Sequence, residues 1–170
     1  MRQTLQPHPD TPCPAVSRFE AFAEREGARL RLSYRLAGDL DALAIPAPAA
    51  AVLTDGLWEH TCFEAFVAAG DAGYLEFNLA PSKAWAAYRF DGYRRGMAPL
   101  EGIDPPRLEV AQAGGALELR AVLDLPWQGP LRVGLAAVIE ETGGRLSYWA
   151  LRHPPGQPDF HHADGFVLDL

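Results

Sequence analysis

Glu64, Glu76 and Asn78 stand in two short alternating runs, C-F-E-A-F-V and Y-L-E-F-N-L, separated by a Gly- and Asp-rich turn. Carboxylates and amides accept hydrogen bonds from ligand hydroxyls, and flat aromatic rings lie against the apolar face of a pyranose. Trp58, Trp85 and Trp149 are the candidate stacking surfaces, with Tyr74 and Tyr88 beside them, and Arg89 joins the acids and the amide as a polar bracket. The two carboxylates could also divide the work of acid and base at a glycosidic bond. A metal site could draw on His153, Asp159 and His161 with His60, but H-P-P-G-Q-P-D-F-H-H matches no standard ligand spacing, so no metal is expected. Three prolines, Pro154, Pro155 and Pro158, stiffen that segment, and backbone partners suffice for its histidines.

The elements that must hold these groups are strands. Side chains alternate across a strand, so Phe63, Ala65 and Val67 belong with Leu75, Phe77 and Leu79 on one face. Glu64 and Phe66 then share the other face with Tyr74, Glu76 and Asn78. Pairing Val67 with Leu75 sets Glu64 opposite Asn78 and Phe66 opposite Glu76. A two-residue slip would oppose Glu64 and Glu76 directly, which like charges disfavour. A one-residue slip would turn the whole apolar set to water. The expected register therefore gathers Glu64, Asn78 and Glu76 into one patch, with the carboxylates on a diagonal of roughly 7 Å.

The rest of the chain reads as more strands. Residues 1–15 hold four prolines and form an extended lead-in to a single domain over 16–170. Val16–Arg25 fits a strand and, through Ser17 and Glu20, also a capped helix; the turn at Glu26-Gly27 into the regular alternation of Arg29–Leu36 favours the strand. Residues 37–56 and 91–106 are long loops. Gly114-Gly115 and Gly143-Gly144 each separate two alternating runs, which marks hairpins, and Gly165–Leu170 closes as a terminal strand. With no convincing long helix, the fold class is all-β, an antiparallel β-sandwich of jelly-roll or immunoglobulin-like type.

Composition narrows the function classes. A formal charge of −7 and a pI near 5.2 argue against a nucleic-acid or anionic-membrane partner. The Arg89, Arg94 and Arg95 group is the one basic cluster and reads as a solvated loop edge. No run approaches the ~20 apolar residues of a bilayer span, and no leader pattern is visible, so a cytoplasmic location is expected. Cys13 and Cys62 lack metal-like spacing and read as free thiols, with Cys62 buried. Only four serines occur, none in a nucleophile elbow, and no phosphate-binding glycine loop is found.

Three segments, D-G-L-W-E-H-T-C-F-E-A-F-V, Y-L-E-F-N-L-A-P-S-K-A-W and S-Y-W-A-L-R-H-P…P-D-F-H, resemble the DOMON-like domains of bacterial proteins. These are relatives of the DOMON and family 9 carbohydrate-binding modules, and the likeness runs from about Val16 to Leu170. It implies a β-sandwich whose relatives bind sugars or b-type haem, usually without catalysis. By that resemblance a haem would take Met97 with His153 or His161 as axial ligands. The expected function is thus a non-catalytic binder of a carbohydrate or sugar-like metabolite through Trp58, Glu64, Glu76, Asn78, Trp85, Arg89 and Trp149. Haem b binding is the alternative, and a glycoside hydrolase using Glu64 and Glu76 stands behind it.

Overall fold

A computed structural model describes residues 2–70 and 73–170. The chain forms an all-β sandwich of two antiparallel sheets. Its strands are Gln3–Thr4 (β1), Gln6–Pro7 (β2), Val16–Glu26 (β3), Arg29–Gly38 (β4), Cys62–Ala68 (β5), Tyr74–Leu79 (β6), Trp85–Phe90 (β7), Ala98–Pro99 (β8), Arg107–Ala113 (β9), Ala116–Asp124 (β10), Arg132–Glu140 (β11), Leu146–Ala150 (β12) and Leu168–Asp169 (β13). The smaller sheet runs β1-β3-β4-β10-β9. The larger runs β2-β12-β11-β5-β6-β7-β8, with β13 also paired to β11. Residues 71 and 72 of the turn between β5 and β6 lie outside the described residues.

Period-two patterning builds the space between the sheets. Leu30, Leu32, Tyr34 and Leu36 of β4 are buried while Arg29 and Arg31 face water. They meet Phe63, Ala65, Val67, Leu75, Phe77 and Leu79 from the larger sheet in one apolar cluster. Phe63 stacks on Tyr34 at 5.2 Å between ring centroids and meets Phe19 edge-on at 5.8 Å. The Tyr34 hydroxyl donates to the Glu64 carbonyl at 2.7 Å, a polar tie from one sheet to the other. Val16–Glu26 is a strand throughout, because pairing with β4 along its length overrides the local capping signal.

Three features depart from the expected outline. The lead-in joins the sandwich: β1 pairs with β3, β2 pairs with β12, and Leu5 between them is buried. The terminal strand shrinks to Leu168–Asp169, because Ala163–Gly165 forms a 3-10 turn. That turn presses on β11 at Gly134, where a Cβ would meet the Phe166 ring at 2.9 Å and the Gly165 carbonyl at 3.0 Å. The larger sheet also has a second apolar cluster on its outer face, around Phe66, Tyr74, Tyr88, Phe90 and Phe166, under Leu57, Trp58 and Phe160 from the loops. β5 and β6 are therefore buried on both sides.

Cys13 and Cys62 are free and buried, and burial pushes the Cys62 thiol well above its ordinary value. Among the described residues no helix is long and apolar enough to cross a membrane. Phe63→Ala should cost about 3–5 kcal/mol by opening a cavity between the sheets. Tyr34→Phe should cost about 1 kcal/mol through the lost inter-sheet hydrogen bond. Urea unfolding monitored by circular dichroism measures both, and equal losses would contradict this division of the core.

Candidate functional site

The β5–β6 ladder pairs Glu64 with Asn78, Phe66 with Glu76 and Val67 with Leu75. β7 continues the sheet, with Glu76 opposite Tyr88 and Tyr74 opposite Phe90. This register turns Glu64, Glu76 and Asn78 away from the sandwich core, onto the face that the loops cover. A cavity of ≈ 380 Å³ opens there. Glu64, Glu76 and Val138 form its base, and Trp58, Phe90, Tyr148 and Phe160 its aromatic sides. Arg94, Met97, Pro158 and His161 complete the lining.

Among the described residues no lysine or arginine is paired with either carboxyl group at the base. Glu64 is 3% exposed and Glu76 4%. Burial, reinforced by the neighbouring Glu76, drives the Glu64 carboxyl well above the usual carboxylate range. Burial also raises Glu76, to about 7, against the opposing influence of an Asn78 hydrogen bond and the Arg94 charge. Asn78 Nδ2 donates to Glu76 Oε1 at 2.8 Å. Glu64 Oε1 and Asn78 Oδ1 are both buried without a hydrogen-bond partner among the described residues.

Two loops close the site from above. Arg94 adopts φ 51° within a tight turn held by Asp91 N–H to the Arg95 carbonyl (2.9 Å) and Arg95 N–H to the Gly92 carbonyl (3.0 Å). Gly96 at φ 67° leaves room for the Asp91 carboxylate, which a Cβ there would meet at 2.1 Å. The turn aims the Arg94 N–H at Tyr74 Oη (3.2 Å). Tyr74 Oη also lies 2.8 Å from His161 Nδ1, and His161 Nε2 stands 3.9 Å from Glu76 Oε2. Asp159 joins the two loops, accepting from the Arg94 guanidinium at 2.8 Å and from the His161 N–H at 3.1 Å. Burial first, then the Arg94 charge, lowers His161 to about 4, so its ring is neutral at pH 7.

Of the residues singled out from sequence, Trp58, Glu64 and Glu76 line the cavity, and Asn78 lies fully buried beside Glu76. Trp85 and Trp149 do not line it. Trp85 stands opposite Leu79 and Trp149 opposite Ala137, so strand parity sends both into the sandwich core. There the Trp149 Nε1–H donates to Ser147 Oγ at 2.9 Å. Arg89 stands opposite Leu75, on the parity facing away from Glu76, and extends into water beside Asp91 at 2.9 Å. Met97 and His161 reach the cavity, but His153 Nε2 is engaged by the Gln6 carbonyl at 2.9 Å. His60 pairs with Glu140 at 2.7 Å, and among the described residues no three His, Cys, Asp or Glu side chains could hold a metal ion.

Arg94, first read as part of a solvated loop edge, is instead half of the loop clasp and part of the lining. Phe90 and Tyr148 belong to the aromatic lining without having stood out in the sequence. Extending the parity argument to β7 would have found Phe90, opposite Tyr74. Arg94 and Phe160 sit in loops with no period, so only folding brings them to the acids.

No protein-family model matches the chain, and no curated protein matches it in sequence. Solved structures do share its fold. One is a Bacteroides uniformis ATCC 8492 protein proposed to bind carbohydrate, 16% identical with a TM-score of 0.72, covering 98% of this chain and 84% of that one. Another is a family 9 carbohydrate-binding module from Caldicellulosiruptor kristjanssonii in complex with cellotriose. That module is 9% identical with a TM-score of 0.52, covering 92% of this chain and 74% of that one. What they share is the β-sandwich.

The buried acids carry a signed prediction. A carboxyl raised in the folded state binds more protons there than in the unfolded chain, so stability should fall as pH rises from about 4.5 through about 7. For Glu76 the shift from 4.5 to about 7 corresponds to about 3 kcal/mol. Glu76→Gln should flatten that decline and be more stable than wild type at pH 8. Urea unfolding at pH 5 and pH 8 measures it, and an unchanged slope in the variant would contradict the assignment.

Proposed function

We propose that this chain is a non-catalytic DOMON-like module that binds a carbohydrate or sugar-like metabolite in the cavity above Glu64 and Glu76. The observation that carries the reading is an aromatic-sided cavity with two buried carboxyl groups at its base, neither of them paired with a lysine or arginine among the described residues. Such a group costs stability unless a ligand offers donors to it. Its volume lies at the small end of the range for small-molecule sites, which suits a ligand of few rings. Trp58, held edge-on to Tyr88 at 5.7 Å, offers the stacking face. Two sandwiches of the same fold point the same way, one proposed to bind carbohydrate and one solved with cellotriose bound.

The arrangement speaks against the other readings. A hydrolase sets its two carboxyl groups on either side of a scissile bond, whereas Glu64 and Glu76 share one sheet face with Asn78 between them. A haem bound through Met97 and His161 would lie against two carboxyl groups, with His161 Nε2 already directed beside Glu76. That donor set does not make an apolar porphyrin slot.

Titration calorimetry and ligand-observed NMR with glucose, cellotriose and other neutral sugars test the proposal. Dissociation constants in the millimolar to tens-of-micromolar range are expected, about −4 to −6 kcal/mol. Trp58→Ala should weaken binding about tenfold. A Soret band on adding hemin, without sugar binding, would overturn the carbohydrate reading in favour of haem.

A further inference from the structure

The hydrogen-bond directions around Glu76 form a chain that can be followed proton by proton. Tyr74 Oη accepts the Arg94 N–H and lies 2.8 Å from His161 Nδ1, an arrangement in which its own proton can go to Nδ1. The ring proton of the neutral imidazole then resides on Nε2, the ring nitrogen near Glu76 Oε2. The separation there, 3.9 Å, is too long for a direct hydrogen bond. An oxygen about 2.8 Å from both atoms would span the 3.9 Å gap with an angle of about 90°. A hydroxyl meets this geometry with both of its capacities: it accepts from Nε2–H and donates to the carboxylate. An ammonium has no lone pair for Nε2–H, and a ligand carboxylate would be repelled by Glu76.

On the other side of Glu76 lie the two orphaned atoms. Glu64 and Asn78 are directly opposite one another on β5 and β6, and Glu64 Oε1 and Asn78 Oδ1 are both buried acceptors without a donor among the described residues. Across this strand pair a proton on Glu64 is the donor that the two residues can supply themselves, from the acid to the amide oxygen. Asn78 is then held with its Nδ2 donating to Glu76 Oε1, as observed at 2.8 Å. Of the two acids Glu76 is the one that ionises first, being near Arg94 and His161.

We propose that Glu76 and His161 form a subsite for one hydroxyl of a neutral sugar, and that a protonated Glu64 holds this subsite in place through Asn78. Glu64 is a positioning residue here, and Glu76 and His161 are the groups that touch the ligand. The choice of ligand rests on the carbohydrate reading above; the placement of the protons rests on the hydrogen-bond geometry together with the neutral His161 ring.

Two sets of measurements test it on the intact chain. Isotope-edited infrared spectroscopy at pH 8, above the Glu76 transition, should show a buried protonated carboxyl that disappears in Glu64→Gln and persists in Glu76→Gln. Nitrogen NMR should find His161 protonated at Nε2 and neutral. In glucose titrations Glu76→Gln and His161→Phe should each weaken binding about tenfold to a hundredfold. Glu64→Leu should weaken it comparably, and Glu64→Gln, whose amide donates to Asn78 Oδ1 as the acid does, should restore most of the affinity. Among monodeoxy glucoses, one position should lose affinity in wild type and lose nothing further in His161→Phe, as coupled partners do. An infrared band that vanishes in Glu76→Gln instead, or a ring proton on Nδ1, overturns the proposal. So does Glu64→Gln binding no better than Glu64→Leu. If no neutral sugar binds wild type, the carbohydrate reading falls, and the infrared and NMR results still decide the proton arrangement.

Discussion

The site depends on one constraint, the two-residue repeat of the β5–β6 hairpin. The register that packs Phe63, Val67 and Phe77 against Tyr34 and Phe19 also sends Glu64, Glu76 and Asn78 to the opposite face. Since that face is covered, the carboxyl groups are removed from water by the packing that stabilises the domain. A buried carboxylate without a paired cation is unstable, so its charge must be reduced by a proton or accommodated by hydrogen bonds. The raised Glu64 and Glu76 carboxyls and the Asn78 bridge follow from this.

The loops turn a buried polar patch into a cavity. Asp159 bonds both the Arg94 guanidinium and the His161 amide, so the turn after β7 and the segment after β12 are fastened to each other above the sheet. Phe160 and Phe166, from that later segment, pack against Phe66 and close one side. Arg94 has its charge answered by Asp159, which lets it stand near Glu76 without forming an ion pair that would block the base. The left-handed backbone of Arg94 and the glycine at position 96 are local requirements of this clasp.

The likeness to carbohydrate-binding sandwiches extends to the whole architecture at very low identity, which is what fold-level constraint produces. Two sheets with period-two patterning can be encoded by many sequences. The groups on the outer face of the larger sheet are free to differ, and in this chain they are two acids, an amide and aromatics.

The alternation of Arg29–Leu36 and of the β5–β6 runs was enough to determine strands, faces and the pairing of Glu64 with Asn78, because side-chain direction along a strand depends only on parity and on keeping apolar groups out of water. The same logic, extended to β7 and β12, places Trp85 and Trp149 in the core, but it requires knowing which strands are neighbours. That information is non-local, and so is the loop clasp. Arg94, Phe160 and His161 lie in segments without a period, and Met97 and His153 look alike in sequence although only Met97 reaches the cavity. Sequence alone settled which faces the side chains of the hairpin take. Only the tertiary structure decided that the polar face is roofed rather than wet, because that depends on loops distant in the chain meeting over it.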